Sequence, residues 1–301
     1  MSLIEKALEQ QQRDNEKNKK PEHTLVAQEP RIDEAEQQKS NLNDGLSLEQ
    51  AAVIEKPVKP VISLDLEMLR QNNFVSLSAE RRLINEEYRV IKRKILNNAF
   101  GQLSQSLHHP NLVLVSSSRP GEGKTFTSIN LALSMALEQD KTILLVDTDV
   151  LRPSVSKSLK IRLDHGLTEY LSSDELKVED IIYSTNVERL KIIGAGKPHH
   201  LSTELLASEK MLKLANEFAE RYPDRIVIFD APPLLGVNET AVLASMCGQA
   251  IIVVEENRSK MSEIEQAAAL LPEELAVGFV INKAHRNQGK GYGYGYYYGA
   301  D

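Results

Sequence analysis

The chain has 301 residues with 41% hydrophobic and 26% charged residues, which fits a soluble globular protein with one large α/β domain plus extensions. Its net charge of −7 argues against a protein that coats nucleic acid, and its single cysteine, Cys247, excludes an internal disulfide and suits a reducing compartment. No apolar run reaches the roughly 20 residues of a membrane span. The N-terminus also lacks a signal-peptide pattern, so we expect a cytoplasmic protein.

The first 75 residues are predicted to be a short helix followed by a largely disordered linker. In residues 1–12, Ser2 and Glu5 have capping-box spacing, and an apolar face is formed by Leu3, Ile4, Ala7 and Leu8. This helix could dock on a partner or on the protein's own body, and a frayed terminus fits equally well. Residues 10–60 are rich in Gln, Glu, Lys and Asn and cannot bury a core.

Residues 78–98 have the apolar periodicity of a helix. The stripe consists of Ile84, Tyr88, Ile91 and Ile95. Two interpretations remain open: an ordinary surface helix packed by this stripe, or a subunit contact in which charged side chains pair with a neighbouring copy.

Residues 111–139 have the order of a phosphate-binding loop. An apolar strand, Leu112 to Val115, leads into the loop SSSRPGEG, and Lys124-Thr125 opens a helical pattern. Glycines let backbone N–H groups turn towards a phosphate, and the helix N-terminus adds positive potential. Ser118 stands where the usual pattern has its first glycine, so the motif is a partial match, and a simple turn into a helix is the alternative.

Two later strands end in carboxylates. Residues 141–153 contain an apolar strand that ends in Asp147-Thr148-Asp149, and residues 225–233 contain one that ends in Asp230. The carboxyl ends of parallel strands are where α/β sheets bind ligands. After a phosphate-binding loop, these carboxylates are placed to orient Mg²⁺ or its water.

The remaining segments continue the alternation of strands and helices. Residues 166–173 and 203–220 are predicted helices, Leu190–Ile193 is a predicted strand, and residues 249–256 and 276–283 supply two further apolar strands around a helix near Ser259. The pattern predicts a P-loop-type, doubly wound, mostly parallel α/β sheet with helices on both faces, spanning residues 76–283. Asn282 could contact a nucleotide base or simply form a turn.

The chain ends in a tyrosine cluster. Of nine tyrosines, five lie in the last ten residues: Tyr292, Tyr294, Tyr296, Tyr297 and Tyr298. Residues 284–301 are predicted to be a flexible tail that would span about 25 Å as a coil. A sticky low-complexity tail and a set of phosphate acceptors are the two interpretations.

Together these segments resemble the bacterial protein-tyrosine kinases (BY-kinases) of capsule and exopolysaccharide export. The likeness is greatest to the tyrosine autokinases encoded with exosortase systems. It is carried by SSSRPGEGKT, ILLVDTD, IVIFDAPP and the tyrosine tail, and it covers residues 75–301 and the opening MSLIEKALE. It implies ATP-dependent autophosphorylation of the tail, in trans within a homo-oligomer such as a ring, that regulates exopolysaccharide synthesis or export.

The resemblance also implies roles for individual residues. Lys124, Asp147, Asp149 and Asp230 would be catalytic, with Asp147 favoured for deprotonating the tyrosine. ATP would be bound by Pro120, Gly121, Glu122, Gly123, Lys124, Thr125, Phe126 and Asn282. Mg²⁺ would be held by Thr125, Asp147 and Asp230, and subunits would meet through Glu86, Arg89, Lys92 and Arg93.

The implied partners are other copies of the chain, a membrane chain-length (polysaccharide co-polymerase) protein that recruits the kinase to the inner face of the membrane, and a tyrosine phosphatase. Two positions depart from related patterns: Leu151 stands where the family often has arginine, and Arg119 where partitioning ATPases have lysine. The alternative function is a partitioning or positioning ATPase without kinase activity. A non-catalytic scaffold is a third reading, against which the intact motif residues argue.

Overall fold

The computed structural model describes residues 60–78 and 80–285. Its strands are β1 (Leu112–Ser117), β2 (Thr142–Asp147), β3 (Tyr183–Ser184), β4 (Leu190–Ile193), β5 (Arg225–Asp230), β6 (Gln249–Glu255) and β7 (Ala276–Asn282). The helices are α1 (Leu66–Gln71), α2 (Leu83–Phe100), α3 (Lys124–Met135), α4 (Val155–Leu159), α5 (Leu167–Ser172), α6 (Val178–Ile181), α7 (Ser202–Leu206), α8 (Glu209–Glu220), α9 (Glu239–Ser245) and α10 (Met261–Ala268).

The seven strands form one sheet in the order β3-β4-β2-β5-β1-β6-β7. Every pairing is parallel except that of β3 with β4. All residues of β1 and β5 are buried, as expected for central parallel strands with both faces covered by helices. This confirms the predicted doubly wound, mostly parallel architecture.

Helices cover the two faces of the sheet with separate apolar cores. One core joins α2 and α3 to the sheet, for example through Tyr88, Ile95 and Leu131. The other joins α8 and α9 to the opposite face, for example through Phe218 and Leu243.

Residues 60–75 belong to this folded body, although the predicted linker extended to residue 75. Ile62 forms a parallel bridge with Thr185, and Asp65 caps α1 by accepting a hydrogen bond from the Met68 N–H. Leu64, Leu69, Phe74 and Val75 are buried. The apolar residues are too few for an average composition to reveal, but each lies in the core, so residues 60–75 are part of the folded body and not of a linker. The predicted helix in residues 1–12 lies outside the described residues.

Helix α2 begins at Leu83 and ends at Phe100, a few residues later than predicted at each end. Its apolar stripe packs against α3, which is the first of the two interpretations. None of the helices in the described ranges is long and apolar enough to cross a membrane.

One local expectation was wrong. The helix predicted over residues 203–220 is two helices, because the Ser208 hydroxyl accepts a hydrogen bond from the Met211 N–H and starts α8 afresh. The strand predicted over residues 276–283 is confirmed as β7, but its side chains are more exposed than those of the central strands: Phe279 is 53% and Ile281 66% exposed.

The order of the three central strands positions the site. β5 lies between β1 and β2, and Asp147 pairs in register with Asp230. Because these strands are parallel, their carboxyl ends and the loop that follows β1 meet at one edge of the sheet.

Candidate active site

The loop after β1 wraps around the start of α3. Gly121 and Gly123 have φ angles of 90° and 100°, which favour glycine, and α3 begins directly at Lys124. A Cβ on Gly123 would lie 1.9 Å from Asn282 Nδ2, whereas one on Gly121 would meet nothing within 4 Å. The sequence SSSRPGEGKT therefore folds as a phosphate-binding loop despite Ser118, with space above Gly121.

Residues from β6, β7 and α10 hold this loop in place. The Glu122 carboxylate is buried, accepts a hydrogen bond from the Arg119 N–H at 2.8 Å and contacts the Ser259 hydroxyl. The Arg119 guanidinium pairs with Glu263 at 2.8 Å and so points to α10.

The end of β7 makes two further contacts with the loop. Asn282 Nδ2 donates to the Glu122 carbonyl at 2.9 Å, and Lys283 Nζ donates to the Gly121 carbonyl at 2.7 Å. Lys283 also pairs with Glu255 at 3.0 Å and has a φ of 55°. Base contact by Asn282 stays a prediction, and in this structure its amide binds the loop backbone.

Lys124 is paired with Asp149 through a 2.7 Å contact between Nζ and Oδ2. Burial alone would lower the pKa of Lys124, but the charges of Asp230 and Asp149 outweigh it and the pKa rises. The ammonium is thus held as a cation at the point where the phosphates of a nucleotide would arrive.

Asp147 and Asp230 are fully buried beneath the loop. Burial and the charge of Asp230 raise the pKa of Asp147 to about 7, and burial likewise raises that of Asp230. Both oxygens of Asp147 accept backbone hydrogen bonds: Oδ1 from the Asp149 N–H, and Oδ2 from the Ser154 and Val155 N–H groups.

Hydroxyl groups link these carboxylates to α3. Thr125 Oγ1 donates to Asp230 Oδ2 at 2.7 Å and lies 2.6 Å from the Ser154 hydroxyl, while Ser128 Oγ donates to Asp230 Oδ1 at 2.9 Å. The sequence reasoning identified Thr125 and missed Ser128 and Ser154. The position of Ser128, one turn after Lys124 on the same helix, was the available signal.

A cavity of about 520 Å³ opens above these groups. The predicted residues that line it are Pro120, Gly121, Gly123, Lys124, Thr125, Phe126 and Asp149. Its other wall is formed by Leu151, Arg152 and Ser154, and by residues of segment 232–237, which follows β5 and was not predicted as part of the site. Phe126 also lines a neighbouring groove of about 590 Å³ that contains Asn282.

The charges at this site fit a nucleotide with a divalent cation. Three carboxylates, Asp147, Asp149 and Asp230, face a single ammonium, and buried carboxylates require cationic partners. Within the described ranges no three acidic, His or Cys side chains are arranged to hold a metal by themselves. Mg²⁺ is typically bound through one or two carboxylates together with waters and phosphate oxygens, and the buried Asp147 and Asp230 supply two carboxylates.

The predicted subunit-contact residues separate into two groups. Glu86 and Arg89 are exposed on α2 and pair with each other at 2.7 Å, and Arg93 is also exposed. Lys92 is buried, donates to the Ser134 carbonyl at 2.9 Å and pairs with Glu138 at 2.6 Å. Its ammonium is satisfied inside the subunit, which corrects its placement among surface contacts. The five tail tyrosines lie outside the described residues.

Comparison with known proteins agrees with this geometry. Residues 111–271 match the family model described as AAA domain. Tyrosine-protein kinase YwqD of Bacillus subtilis (strain 168) is 31% identical over 198 residues, which cover 66% of this chain and 78% of YwqD. Tyrosine-protein kinase CpsD of Streptococcus agalactiae is 32% identical over 58% of this chain and 76% of its own length. Tyrosine-protein kinase ptk of Acinetobacter johnsonii is 33% identical over 59% of this chain, but the match spans only 24% of that protein.

Solved structures show the same fold. The VpsO kinase domain has a TM-score of 0.53 and 27% identity, covering 66% of this chain and 97% of the domain. The kinase domain of the Escherichia coli tyrosine kinase ETK has a TM-score of 0.57 at 22% identity, covering 77% of this chain and 95% of that chain. With its AAA domain match and its extensive similarity to YwqD and CpsD, the chain belongs to the family of bacterial tyrosine-protein kinases.

Proposed function

We propose that this protein-tyrosine kinase uses ATP and Mg²⁺ to phosphorylate its own C-terminal tail, in trans within an oligomer, and so regulates exopolysaccharide synthesis or export. The proposed acceptors are Tyr292, Tyr294, Tyr296, Tyr297 and Tyr298. The observation that carries the proposal is an open cavity lined by Lys124, Thr125 and Asp149, with Thr125 bonded to Asp230 of the buried Asp147–Asp230 pair.

The positions of the other tyrosines support the tail as acceptor. Tyr88 and Tyr183 are 4% and 5% exposed. Burial raises the pKa of Tyr88 to about 12, and the Tyr183 hydroxyl hydrogen-bonds with the backbone of His165. Tyr170 is partly exposed, and Tyr222 is exposed but stacks against Arg225, with 3.7 Å from the guanidinium to the ring centre. Tyr170 and Tyr222 are therefore the alternatives to the five tyrosines of the tail.

Each side chain of the site has a distinct proposed role. Lys124 would exchange its contact with Asp149 for the outer phosphates of ATP and neutralise charge that develops during transfer. Asp147, Asp230 and Thr125 would hold Mg²⁺, which supplies charge neutralisation and orients the phosphates when bound. Phe126 and Asn282 lie where the nucleoside would extend into the neighbouring groove.

Asp149 is the better candidate for accepting the tyrosine proton. It lines the cavity, whereas Asp147 does not line it and is held by three backbone N–H groups. A phenol has a pKa near 10, so a carboxylate released from Lys124 and facing the acceptor would assist the transfer. This replaces the sequence-based preference for Asp147.

The exposed Glu86, Arg89 and Arg93 on α2 support the oligomeric part of the proposal. Recruitment to the membrane by a chain-length protein, and reversal by a tyrosine phosphatase, complete it. Each phosphotyrosine adds about −1.5 to −2 charges, so five would add about −8 to −10 to a chain whose net charge is already −7. We therefore expect phosphorylation to weaken tail docking and open the assembly.

The test is phosphotyrosine detection after the purified full chain is incubated with ATP and Mg²⁺. Lys124→Met and a chain that ends before Tyr292 should both lose the signal, and Tyr222→Phe should keep it. A signal lost only in Lys124→Met would move the acceptor out of the tail. ATP turnover without phosphotyrosine would favour the positioning ATPase, and neither product would favour a scaffold. Sizing the protein before and after ATP treatment tests the assembly, and an unchanged size would contradict opening.

A further inference from the structure

One wall of the cavity is apolar. It consists of Leu151 together with Pro232, Pro233, Leu235 and Val237. Leu151 is 54% exposed. Leu235 and Val237 are partly exposed, whereas Pro232 and Pro233 are buried. Phosphates and Mg²⁺ gain nothing from apolar side chains, and a cavity lined by apolar residues beside a few polar groups is typical of a ligand site.

Backbone hydrogen bonds fasten this wall to the phosphate-binding loop. The Leu234 N–H donates to the Ser117 carbonyl at 2.8 Å, and the Leu235 N–H donates to the Ser118 carbonyl at 3.2 Å. Ser117 and Ser118 lead directly from β1 into the loop. The wall therefore keeps a fixed spacing from the groups that would bind the phosphates.

The Asp149 carboxylate, which contacts Lys124, also closes the turn that contains Leu151. Asp149 Oδ2 contacts Lys124 Nζ at 2.7 Å, and Asp149 Oδ1 accepts a hydrogen bond from the Arg152 N–H at 3.0 Å. Leu151 lies in the turn that this second bond closes. A ring packed against Leu151 would thus lie beside Asp149.

We propose that this apolar wall is the subsite for the aromatic ring of the acceptor tyrosine, and that Leu151 and Val237 favour tyrosine over serine and threonine. The inference rests on the proposed kinase function. In the transfer, the phenolic oxygen forms a bond to the γ-phosphorus, the bond from that phosphorus to the β–γ bridging oxygen breaks, ADP leaves, and the phenolic proton passes to Asp149. A serine or threonine side chain has no ring to occupy the wall.

The experiment measures transfer to a separate acceptor. The acceptor is the full chain carrying Lys124→Met, which supplies the tail but cannot use ATP, and the enzymes are wild type, Leu151→Ser, Leu151→Met and Val237→Ser. We expect Leu151→Ser and Val237→Ser each to raise the KM for the acceptor about ten-fold, because each removes apolar contact with the ring. The accompanying change in the KM for ATP should be at least five-fold smaller, and Leu151→Met should restore most of the acceptor KM.

Leu212→Ser is the matched control, because Leu212 is 45% exposed on α8 and does not line the cavity. It should leave the acceptor KM at the wild-type value. An acceptor KM that is unchanged in both serine variants would overturn the subsite and leave the kinase function standing. Equal rises in both KM values would overturn it as well, since they would indicate a general loss of the site. A wild-type enzyme that transfers no phosphate to the acceptor would overturn the kinase function and the subsite together.

Discussion

Replacing Asp230 by asparagine should stabilise the protein at alkaline pH while abolishing its activity. Asp230 and Asp147 are paired in register and both fully buried, so their negative charges repel each other. The amide of asparagine can keep the bonds to Thr125 and Ser128, because a hydroxyl can rotate to accept as well as donate.

The magnitude follows from the pKa of Asp147, which rises from 3.8 to about 7. That difference corresponds to about 4 kcal/mol of free energy. Burial is the larger cause and persists in the variant, so we assign about 1–2 kcal/mol to the repulsion between the two charges. The variant also loses the attraction between Asp230 and Lys124, but Asp149 still pairs with Lys124, so this loss offsets only part of the gain. For a domain of this size, the melting temperature should rise by about 2–4 °C at pH 8.

The effect of the substitution on the melting temperature depends on pH. Between pH 4 and 7 the folded protein holds a proton on Asp147 that the unfolded chain lacks, so the free energy of unfolding decreases as the pH rises through this window. The repulsion grows as the pH rises through 7, where Asp147 ionises, and is absent near pH 5, where Asp147 is protonated. The advantage of Asp230→Asn should therefore disappear near pH 5.

The assay is calorimetric unfolding without Mg²⁺ at both pH values, with Asp164→Asn, at an exposed position, as the control. Added Mg²⁺ and ATP should raise the melting temperature of the wild type more than that of Asp230→Asn. An Asp230→Asn variant that melts below the wild type at pH 8 would refute this prediction. An equal rise in its melting temperature at pH 5 and pH 8 would refute it as well.

Three further predictions follow from contacts outside the carboxylate pair. Lys283→Ala should weaken binding of a fluorescent ATP analogue about five-fold, because the Gly121 carbonyl loses its partner, and Lys283→Arg should bind more tightly than Lys283→Ala; equal affinity in all three proteins would contradict this. Lys92→Ala should lower the free energy of unfolding in urea by about 2–3 kcal/mol, because Glu138 and the Ser134 carbonyl lose a buried cation. An unchanged free energy of unfolding would contradict this structural role. Peptide mapping by mass spectrometry after incubation with ATP should find no phosphate on Tyr88 or Tyr183, and modification of either in folded protein would contradict their burial.

The sequence pattern was sufficient for the central strands and the phosphate-binding loop. Val113, Leu144 and Ile228 lie in continuous apolar runs because both faces of a parallel sheet are covered. The loop and the carboxylates at strand ends have fixed local signatures, so their meeting could be predicted from the alternation of strands and helices.

Other features depend on tertiary position, which local patterns do not encode. The run in β7 is as apolar as that in β6, but among the described strands it pairs with β6 alone, and its side chains are largely exposed. Lys92 resembles a surface lysine until α2 packs against α3 and brings Ser134 and Glu138 to it. The apolar wall after β5 has no signature, because leucine and proline at a strand exit serve many purposes.

The contacts of the end of β7 with the phosphate-binding loop also bear on how the protein folds. The groups that would bind the phosphates and Mg²⁺ are complete in sequence by Asp230, yet Asn282 and Lys283, which fasten the loop, lie at the end of β7 and leave the ribosome later. Parallel sheets with such distant partners fold slowly, since long loops must close before the contacts form. A chain still being synthesised would therefore hold an unfastened loop, and nucleotide affinity would reach its full value only after the whole sheet has assembled.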